Sequence, residues 1–287
     1  EVDKLHPHCI DHSDEVCQLP FALQQKEVDK LHPNDQYNVA CIGTPVLTNP
    51  YPEIEVYYKI LQDALKKTPE ELLEEIKLSG LRGRGGAGFP MAFKLDACRK
   101  EKNETKFVVC NADEGDPGAY SDRYLLEQRA HSVVMGMMIA GYIIGAEWGV
   151  LYIRGEYPEA VNICEHELNK LRELNLLGDN ILGTGFNFEF KVIRAQGAYI
   201  CGEETALIES IEGKRGQPRI KPPFPAVQGL YGCPTIVNNV ETLASVPYII
   251  ENGADAFRKV DFKIFGISGN VKRPGCYEYP IGTTFKD

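Results

Sequence analysis

The residues best placed to do chemistry are carboxylates, amides and lysines that sit beside glycine-rich turns. The stretch Ser79-Gly80-Leu81-Arg82-Gly83-Arg84-Gly85-Gly86-Ala87-Gly88-Phe89-Pro90 holds five glycines and two arginines in twelve residues and ends on an aromatic. Backbone without a Cβ can approach a flat or charged ligand closely, and its N–H groups stay free for anions. Gly83, Gly85 and Gly88 also fit G-x-G-x-x-G, but that dinucleotide fingerprint requires a strand before it and a helix after it. Here a helix comes first. Thr68-Pro69-Glu70-Glu71 reads as a capping box with proline at the first helical position, Leu72, Leu73 and Ile76 form an apolar stripe, and Gly80 stands where a helix stops. The alternative is a surface loop with no ligand.

Three further polar runs carry the same texture. Asn111-Ala112-Asp113-Glu114-Gly115-Asp116-Pro117-Gly118 follows the apolar run Lys106–Cys110. Arg154-Gly155-Glu156 follows Gly149–Ile153, and Gln196-Gly197-Ala198-Tyr199-Ile200-Cys201-Gly202-Glu203-Glu204 follows Phe188–Ile193. These apolar runs read as strands, separated by a buried helix over His131–Gly145 and an amphipathic helix over Pro158–Leu177. Strand, helix, strand, helix, strand at this spacing implies a parallel sheet with right-handed crossovers. Ligands of such sheets lie beyond the carboxyl ends of the strands, so the three runs are expected at one edge. Each alone is explained as a surface turn.

Two later segments belong to the same question. Glu203 and Glu204 open a helix to about Ile211, where acidic residues suit the helix dipole or hold ligand hydroxyls. Lys214-Arg215-Gly216-Gln217-Pro218-Arg219-Ile220-Lys221-Pro222-Pro223-Phe224-Pro225 is a solvated connector, or a preset arm carrying positive charge and an aromatic toward phosphates. Val237-Asn238-Asn239-Val240-Glu241-Thr242 is expected to lead into a helix to about Glu251, its tandem Asn an N-cap or a source of amide contacts. Two helices are expected between Glu53 and Leu78, and a short one over Phe93–Lys100 carries Lys94.

The bulk numbers set limits. The chain has 287 residues, 43% hydrophobic and 25% charged, with net charge −10. That is the profile of an ordinary globular protein and disfavours nucleic acid and anionic membrane surfaces as partners. No segment reaches the roughly 18 apolar residues of a membrane helix, and no signal peptide is visible; a chain starting at Glu1 reads as trimmed. The nine cysteines are odd in number and scattered without a C-x-x-C, which fits free thiols in a reducing cytoplasm and encodes neither a ferredoxin-type cluster nor a zinc ribbon. Cys9, Cys17 and Cys41 beside His6, His8 and His12 match no ligand spacing. Glu-Val-Asp-Lys-Leu-His-Pro occurs at Glu1–Pro7 and again at Glu27–Pro33, too short a repeat for a solenoid. Phe262–Ile267 and Gly275–Tyr279 look like a hairpin around Asn270 to Pro274. Two strands alone are marginal in water, so they read as the start of a second domain.

With these residues laid out, the chain resembles the FMN-containing, NADH-oxidising subunit of respiratory complex I and the equivalent subunit of NAD(P)-linked hydrogenases and formate dehydrogenases. Gly80–Pro90, Asn111–Gly118, Gly197–Leu207, Lys221–Ala226 and Asn238–Leu243 carry the resemblance, which covers about Thr68 to Pro247; Gly269 to Thr283 is similar to the start of the SLBB β-grasp domain that follows in that family. The resemblance implies an α/β fold: a Rossmann-like parallel-sheet flavin and nucleotide domain over 51–256, with a helical lead-in, an irregular extension over 1–50, and a truncated SLBB domain over 257–287. It implies that Gly83, Arg84, Gly85 and Gly86 wrap FMN with Lys94 near the flavin. Asn111, Asp113 and Glu114 would contact the isoalloxazine or ribityl chain. Tyr199, Gly202, Glu203 and Glu204 would line the cavity, and Val237, Asn238 and Asn239 would hold the phosphate end. Phe89 and Phe224 would sandwich the NADH adenine, and Asp116, Glu204 and Lys221 would meet the rest of NAD(H).

Hydride transfer from NADH to FMN, then single-electron transfer to iron–sulfur clusters, would need no catalytic acid or base. The expected partners are a thioredoxin-like [2Fe–2S] subunit and a larger iron–sulfur subunit; the family's [4Fe–4S] cluster domain is absent from these residues. The same module can run in reverse, reducing NAD(P)+, and a degenerate subunit would be a non-catalytic scaffold. Met91-Ala92-Phe93-Lys94-Leu95 stands where the family often has Thr-Gly-Leu-Lys-Trp, and Ala97 where an aromatic can serve the adenine. These departures leave NAD versus NADP open.

Overall fold

The computed structural model describes residues 39–41, 45–260 and 262–284. The heptapeptide repeat and Cys9, Cys17, His6, His8 and His12 lie outside the described residues.

Four parallel strands form the sheet that positions everything else: β2 (Phe107–Ala112), β3 (Trp148–Ile153), β4 (Glu189–Arg194) and β5 (Thr235–Asn239), in spatial order β4-β3-β2-β5. The first three are the strands read from the sequence. The fourth corrects it: Thr235-Ile236-Val237 extends the sheet, and the tandem Asn ends a strand before it starts a helix. Its signal is short because Asn238 and Asn239 interrupt the apolar run. The chain moves outward from β2 through β3 to β4 and then returns to pair on the other side of β2. The order therefore reverses at β2, the geometry that opens a ligand crevice at the strands' carboxyl ends. Register sets the two ends level, with Asn111 opposite Asn239 and Ala112 opposite Ile153.

The lead-in contains α1 (Ile54–Tyr57), α2 (Lys59–Ala64) and α3 (Pro69–Ser79). The capping box is formed in both directions: Glu71 N–H donates to Thr68 Oγ1 at 3.3 Å and Thr68 N–H to Glu71 Oε2 at 2.7 Å. Gly80 ends α3 with φ 69°, the left-handed conformation glycine tolerates. After the glycine loop comes α4 (Met91–Lys100), two residues longer at its start than expected.

The helix α5 (Ser121–Gln128) leads into α6 (Ala130–Ile144), where only Tyr142 escapes burial. A helix apolar all round belongs inside. Two of its glycines permit close approach: a Cβ on Gly136 would lie 2.0 Å from the Leu243 carbonyl, and one on Gly141 would lie 2.2 Å from the Phe188 ring. The amphipathic α7 (Pro158–Glu173) stops four residues short of the expected Leu177. Beyond α8 (Glu204–Ile211) and β5, the one helix expected to about Glu251 is two, α9 (Val240–Ala244) and α10 (Val246–Asn252), and a further helix, α11 (Ala254–Val260), follows. Pro247 in the first turn of α10 forces the first break.

The hairpin β6 (Phe262–Ile267) and β7 (Gly275–Pro280) is antiparallel as expected. It is not alone. β1 (Val39–Cys41), from the stretch expected to be irregular, pairs parallel with β7. Glu278, buried on β7, accepts N–H bonds from Val46, Leu47 and Thr48 at 2.8–3.0 Å, which ties the lead-in to this small sheet.

Candidate functional site

The glycine loop closes on itself before it meets anything else. Gly83 N–H donates to Phe89 O at 2.8 Å, Met91 N–H to Leu81 O at 3.0 Å, and Arg82 Nη1 to Gly88 O at 3.2 Å. It is then fixed to α9 and to the end of β5: Arg84 N–H donates to Thr242 Oγ1 at 2.8 Å, and a Cβ on Gly85 would sit 3.2 Å from the Asn239 Cβ. Gly86 and Gly88 have positive φ. The result is a rigid bare-backbone wall against the carboxyl end of the sheet.

On the opposite wall the turn Tyr199–Gly202 and α8 bring their residues to the same edge. Asn111 Nδ2 donates to Gly202 O at 2.8 Å, and a Cβ on Gly115 would meet the Tyr199 ring at 2.9 Å. Glu203 caps α8, accepting from Thr205 N–H at 2.8 Å and Ala206 N–H at 3.0 Å. Its other oxygen receives Lys221 Nζ at 2.8 Å; the same ammonium reaches Glu204 at 2.9 Å. Lys94 Nζ donates to the remaining Glu204 oxygen at 3.0 Å and to Val237 O at 2.9 Å. Three separate segments thus meet in one chain of charge: Lys94, Glu204, Lys221, Glu203. Burial alone raises both carboxyls. Lys221, Thr205 and the α8 amides outweigh it for Glu203, holding it at about 2, and Lys94 and Lys221 do so for Glu204, which is also lowered.

The basic arm divides into two roles. Arg219 is held by Glu209 and Glu212, and Lys214 by Glu212, so these cations fasten the arm to α8. Lys221 instead reaches the site. Phe224 and Tyr199 are exposed, at 58% and 77%, and Phe89 packs edge-on to Phe93 with ring centres 5.5 Å apart.

Other expected residues are turned differently. Asp116 Oδ1 accepts from Gly118 N–H at 3.1 Å in its own turn. Both Glu114 oxygens face α5, accepting from Ser121, Asp122 and Arg123 and from the Tyr157 hydroxyl. Asn239 caps α9 through Glu241 N–H at 2.9 Å and donates to Asp122 Oδ2 at 2.7 Å. Asn238 Oδ1 and Asp113 Oδ2 are buried with no hydrogen-bond partner within the described residues. Unpartnered buried oxygens at strand ends leave bonding for a ligand or a water to complete. Burial, with Glu156 adding to it and Arg154 opposing, pushes Asp113 up to about 6. Two further residues join the site without a place in the sequence reading of it, Thr242 and Asp122, and Arg154, from the polar run expected at this edge, donates to the Glu114 carbonyl at 2.5 Å. Only Arg154 carries a signal, its place after β3.

The comparison that decides the family is with the Nuo51 FMN-binding domain, whose family model matches residues 76–248, more than half of the chain. The chain belongs to this family. An SLBB domain follows at 264–287. An F-type subunit of the NADH-quinone oxidoreductase of Rhizobium meliloti is 48% identical over 237 residues, covering 80% of this chain and 56% of the relative. The NAD-reducing hydrogenase HoxS subunit alpha of Cupriavidus necator is 48% identical over 235 residues, covering 79% and 39%. A crystal structure of an NAD+-reducing [NiFe]-hydrogenase in the H2-reduced state superposes with TM-score 0.77 at 36% identity, over 91% of this chain and 46% of that one. The chain spans about half the length of the curated relatives it matches. Among the described residues no helix is long and apolar enough to cross a membrane, and no cluster of three or more His, Cys, Asp or Glu residues is placed to hold a metal ion.

Proposed function

We propose that the chain is the FMN-dependent NAD(P)H dehydrogenase module of a larger redox assembly. The carrying observation is the pair of unpartnered buried oxygens, Asn238 Oδ1 and Asp113 Oδ2, at the ends of adjacent strands beside a bare glycine wall. Those residues fit FMN: Gly83 to Gly86 offer backbone to a flat ring or a phosphate, and Val237, Asn238 and Asn239 offer the strand end where the chain order reverses. When bound, FMN supplies the two-electron to one-electron switch between NADH and iron–sulfur acceptors.

The chain's own residues do the rest. Lys94, fixed by Val237 O and Glu204, puts a positive charge at the flavin side of the site. Asn111, held by Gly202, sets the strand-end turn from which Asp113 projects. Glu203 and Glu204 stay ionised at neutral pH because Lys221 and Lys94 are within 3.0 Å, and they present acceptors suited to ribose hydroxyls. Phe89, Phe224 and Asp116 would meet the remainder of the dinucleotide. Glu114, turned to α5, supports the Asp113 turn from behind.

Relatives named as NADH-quinone oxidoreductase subunits and as NAD- or NADP-reducing hydrogenase subunits match equally well at 48% identity. That supports both directions of flow, NADH oxidation and NAD(P)+ reduction. We read 51–256 as the cofactor domain and 257–287 as the first part of the SLBB β-grasp domain. The partners would be a [2Fe–2S] subunit and a larger iron–sulfur subunit, in the cytoplasm.

The test is the visible spectrum of the purified protein before and after anaerobic addition of NADH. Flavin bands that bleach support the dehydrogenase; bleaching with NADPH alone shifts the nucleotide. A colourless protein that takes up no FMN is a scaffold subunit.

A further inference from the structure

Behind the glycine loop lies a buried carboxyl that the cofactor reading does not use. Glu241 is 2% exposed, between the Asn239 cap and Thr242, the residue that anchors Arg84. Its Oε1 accepts from Ile264 N–H of β6 at 3.2 Å. The next cation on β6, Lys263, donates to the Arg84 carbonyl at 3.5 Å. The Arg84 Nε is buried and has no hydrogen-bond partner within the described residues. A single carboxyl therefore touches the hairpin, the helix that seats the glycine loop, and the field of two cations at that loop.

We propose that Glu241 is a positioning residue for anion binding in the glycine loop: it shares Arg84 and Lys263 with the phosphate end of the cofactor, so that cofactor binding and protonation of Glu241 are linked. The inference rests on the FMN reading of the site. The charged groups facing Glu241 are Lys263 from β6, Arg84 from the loop, Glu278 from β7 and Asp122 from α5, with Glu114 behind Asp122. Burial pushes Glu241 up to about 7, Lys263 and Arg84 oppose that, and Glu278 adds to it. A phosphate arriving beside the same two cations adds negative charge and raises it further, so binding draws a proton from solvent onto the carboxyl near neutral pH.

The experiment measures FMN dissociation constants from pH 6 to 8 by flavin fluorescence, on the full chain stripped of flavin, for the parent and Glu241→Gln. The Gln side chain keeps an acceptor for Ile264 N–H and removes the charge. Taking the ratio of the two constants cancels the phosphate's own second ionisation near pH 6 and the titration of Asp113. The expected ratio, parent over variant, is near one at pH 6 and rises about three- to fivefold by pH 8 for a linked shift of half to one pKa unit. Calorimetry at neutral pH in two buffers of different ionisation enthalpy should show proton uptake in the parent and less in Glu241→Gln. A ratio that stays flat, or falls with pH, overturns the proposal while leaving FMN binding intact. Asp122→Asn is the second variant; if it abolishes the pH-linked term and Glu241→Gln does not, the residue is Asp122 and the assignment fails. Absence of FMN binding in every protein overturns this inference and the cofactor reading together.

Discussion

Two groups of carboxylates flank the glycine loop and behave in opposite ways. In front, Glu203 and Glu204 each have a lysine within 3.0 Å, and both are held below the usual carboxylate range. Asp122 and Glu241 behind the loop, and Asp113 at the end of β2, are more deeply buried, have no cation within ion-pair distance among the described residues, and are all raised. The residue types are the same. What differs is whether a charge partner arrives along with burial, since desolvation alone favours the neutral acid. The front group is thus permanently charged and can recognise polar ligand groups. The rear group can change its charge in response to what binds. The same contrast separates a recognition surface from a responsive one.

The largest break in this arrangement comes from removing the packing that seats the rear group. The helix α9, which carries Glu241 and Thr242, lies on Gly136 of α6, and any Cβ there would overlap the Leu243 carbonyl. Gly136→Ala must displace α9. We expect a loss of at least about 3 kcal/mol, the upper range for overpacking against backbone, together with loss of FMN. Thermal melting and flavin content after purification check it. Retention of parental stability would show that α9 is free to move and that the rear group is not rigidly held.

Next is the front group. Lys221 is shared by Glu203 and Glu204, so Lys221→Met leaves two adjacent carboxylates with Lys94 as the remaining cation. Like charges then push one carboxyl toward its protonated form. NADH-driven bleaching of the flavin should slow by about ten- to a hundredfold, one to two decades for about 1.4–2.7 kcal/mol, with FMN content unchanged. Anaerobic stopped-flow absorbance gives the rate. Loss of FMN as well would mean that the two carboxylate groups are not independent.

Asp113 tests the raised carboxylates by pH. Its folded pKa of about 6 lies above the unfolded value of 3.8. The acid is therefore protonated more readily when folded, and the cost of ionising it appears as pH rises from about 4 through 6. Asp113→Asn should leave stability at pH 4 unchanged and raise it at pH 8 by about 1–2 kcal/mol, after discounting for solvent screening. Urea melts at both pH values measure this. Glu203 has the opposite sign: its folded pKa of about 2 gives stability present above the unfolded value of 4.5 and lost as pH falls toward 2.

The front group is legible in the sequence and the rear group largely is not. Glu203, Glu204, Lys94 and Lys221 stand beside glycine turns or a stiff proline arm, in motifs long enough to carry a family resemblance. Three of the four sheet strands are readable because their apolar runs are followed by polar turns. Strand β5 escapes the pattern because Thr235-Ile236-Val237 is a short run that meets two asparagines, and the cap preference of asparagine masks the strand that precedes it. Strand β1 has three residues and gains its place only by pairing with β7, more than 230 positions away. Asp122, Glu241 and Thr242 look like ordinary first-turn helix residues. Their meaning arises only when α5, α9 and β6 fold against the back of the glycine loop, a juxtaposition that no local pattern encodes.

The smallest expected effect concerns the rim of the front group. Phe93 is 65% exposed and its ring lies edge-on to Phe89 at 5.5 Å. An edge-to-face pair contributes about 0.5–1.5 kcal/mol beyond area burial, less where solvent reaches both rings. If Phe89 stacks on the nucleotide, Phe93 fixes the plane it offers. Phe93→Leu should then raise the KM for NADH about two- to threefold and leave kcat and FMN content unchanged, because the substituted ring touches neither Lys94 Nζ nor Glu204. Steady-state NADH oxidation with an artificial acceptor separates the two constants. An unchanged KM would show that Phe89 is oriented by its loop alone, through the Gly83 N–H bond to its carbonyl, and that the edge contact is packing without a role in binding.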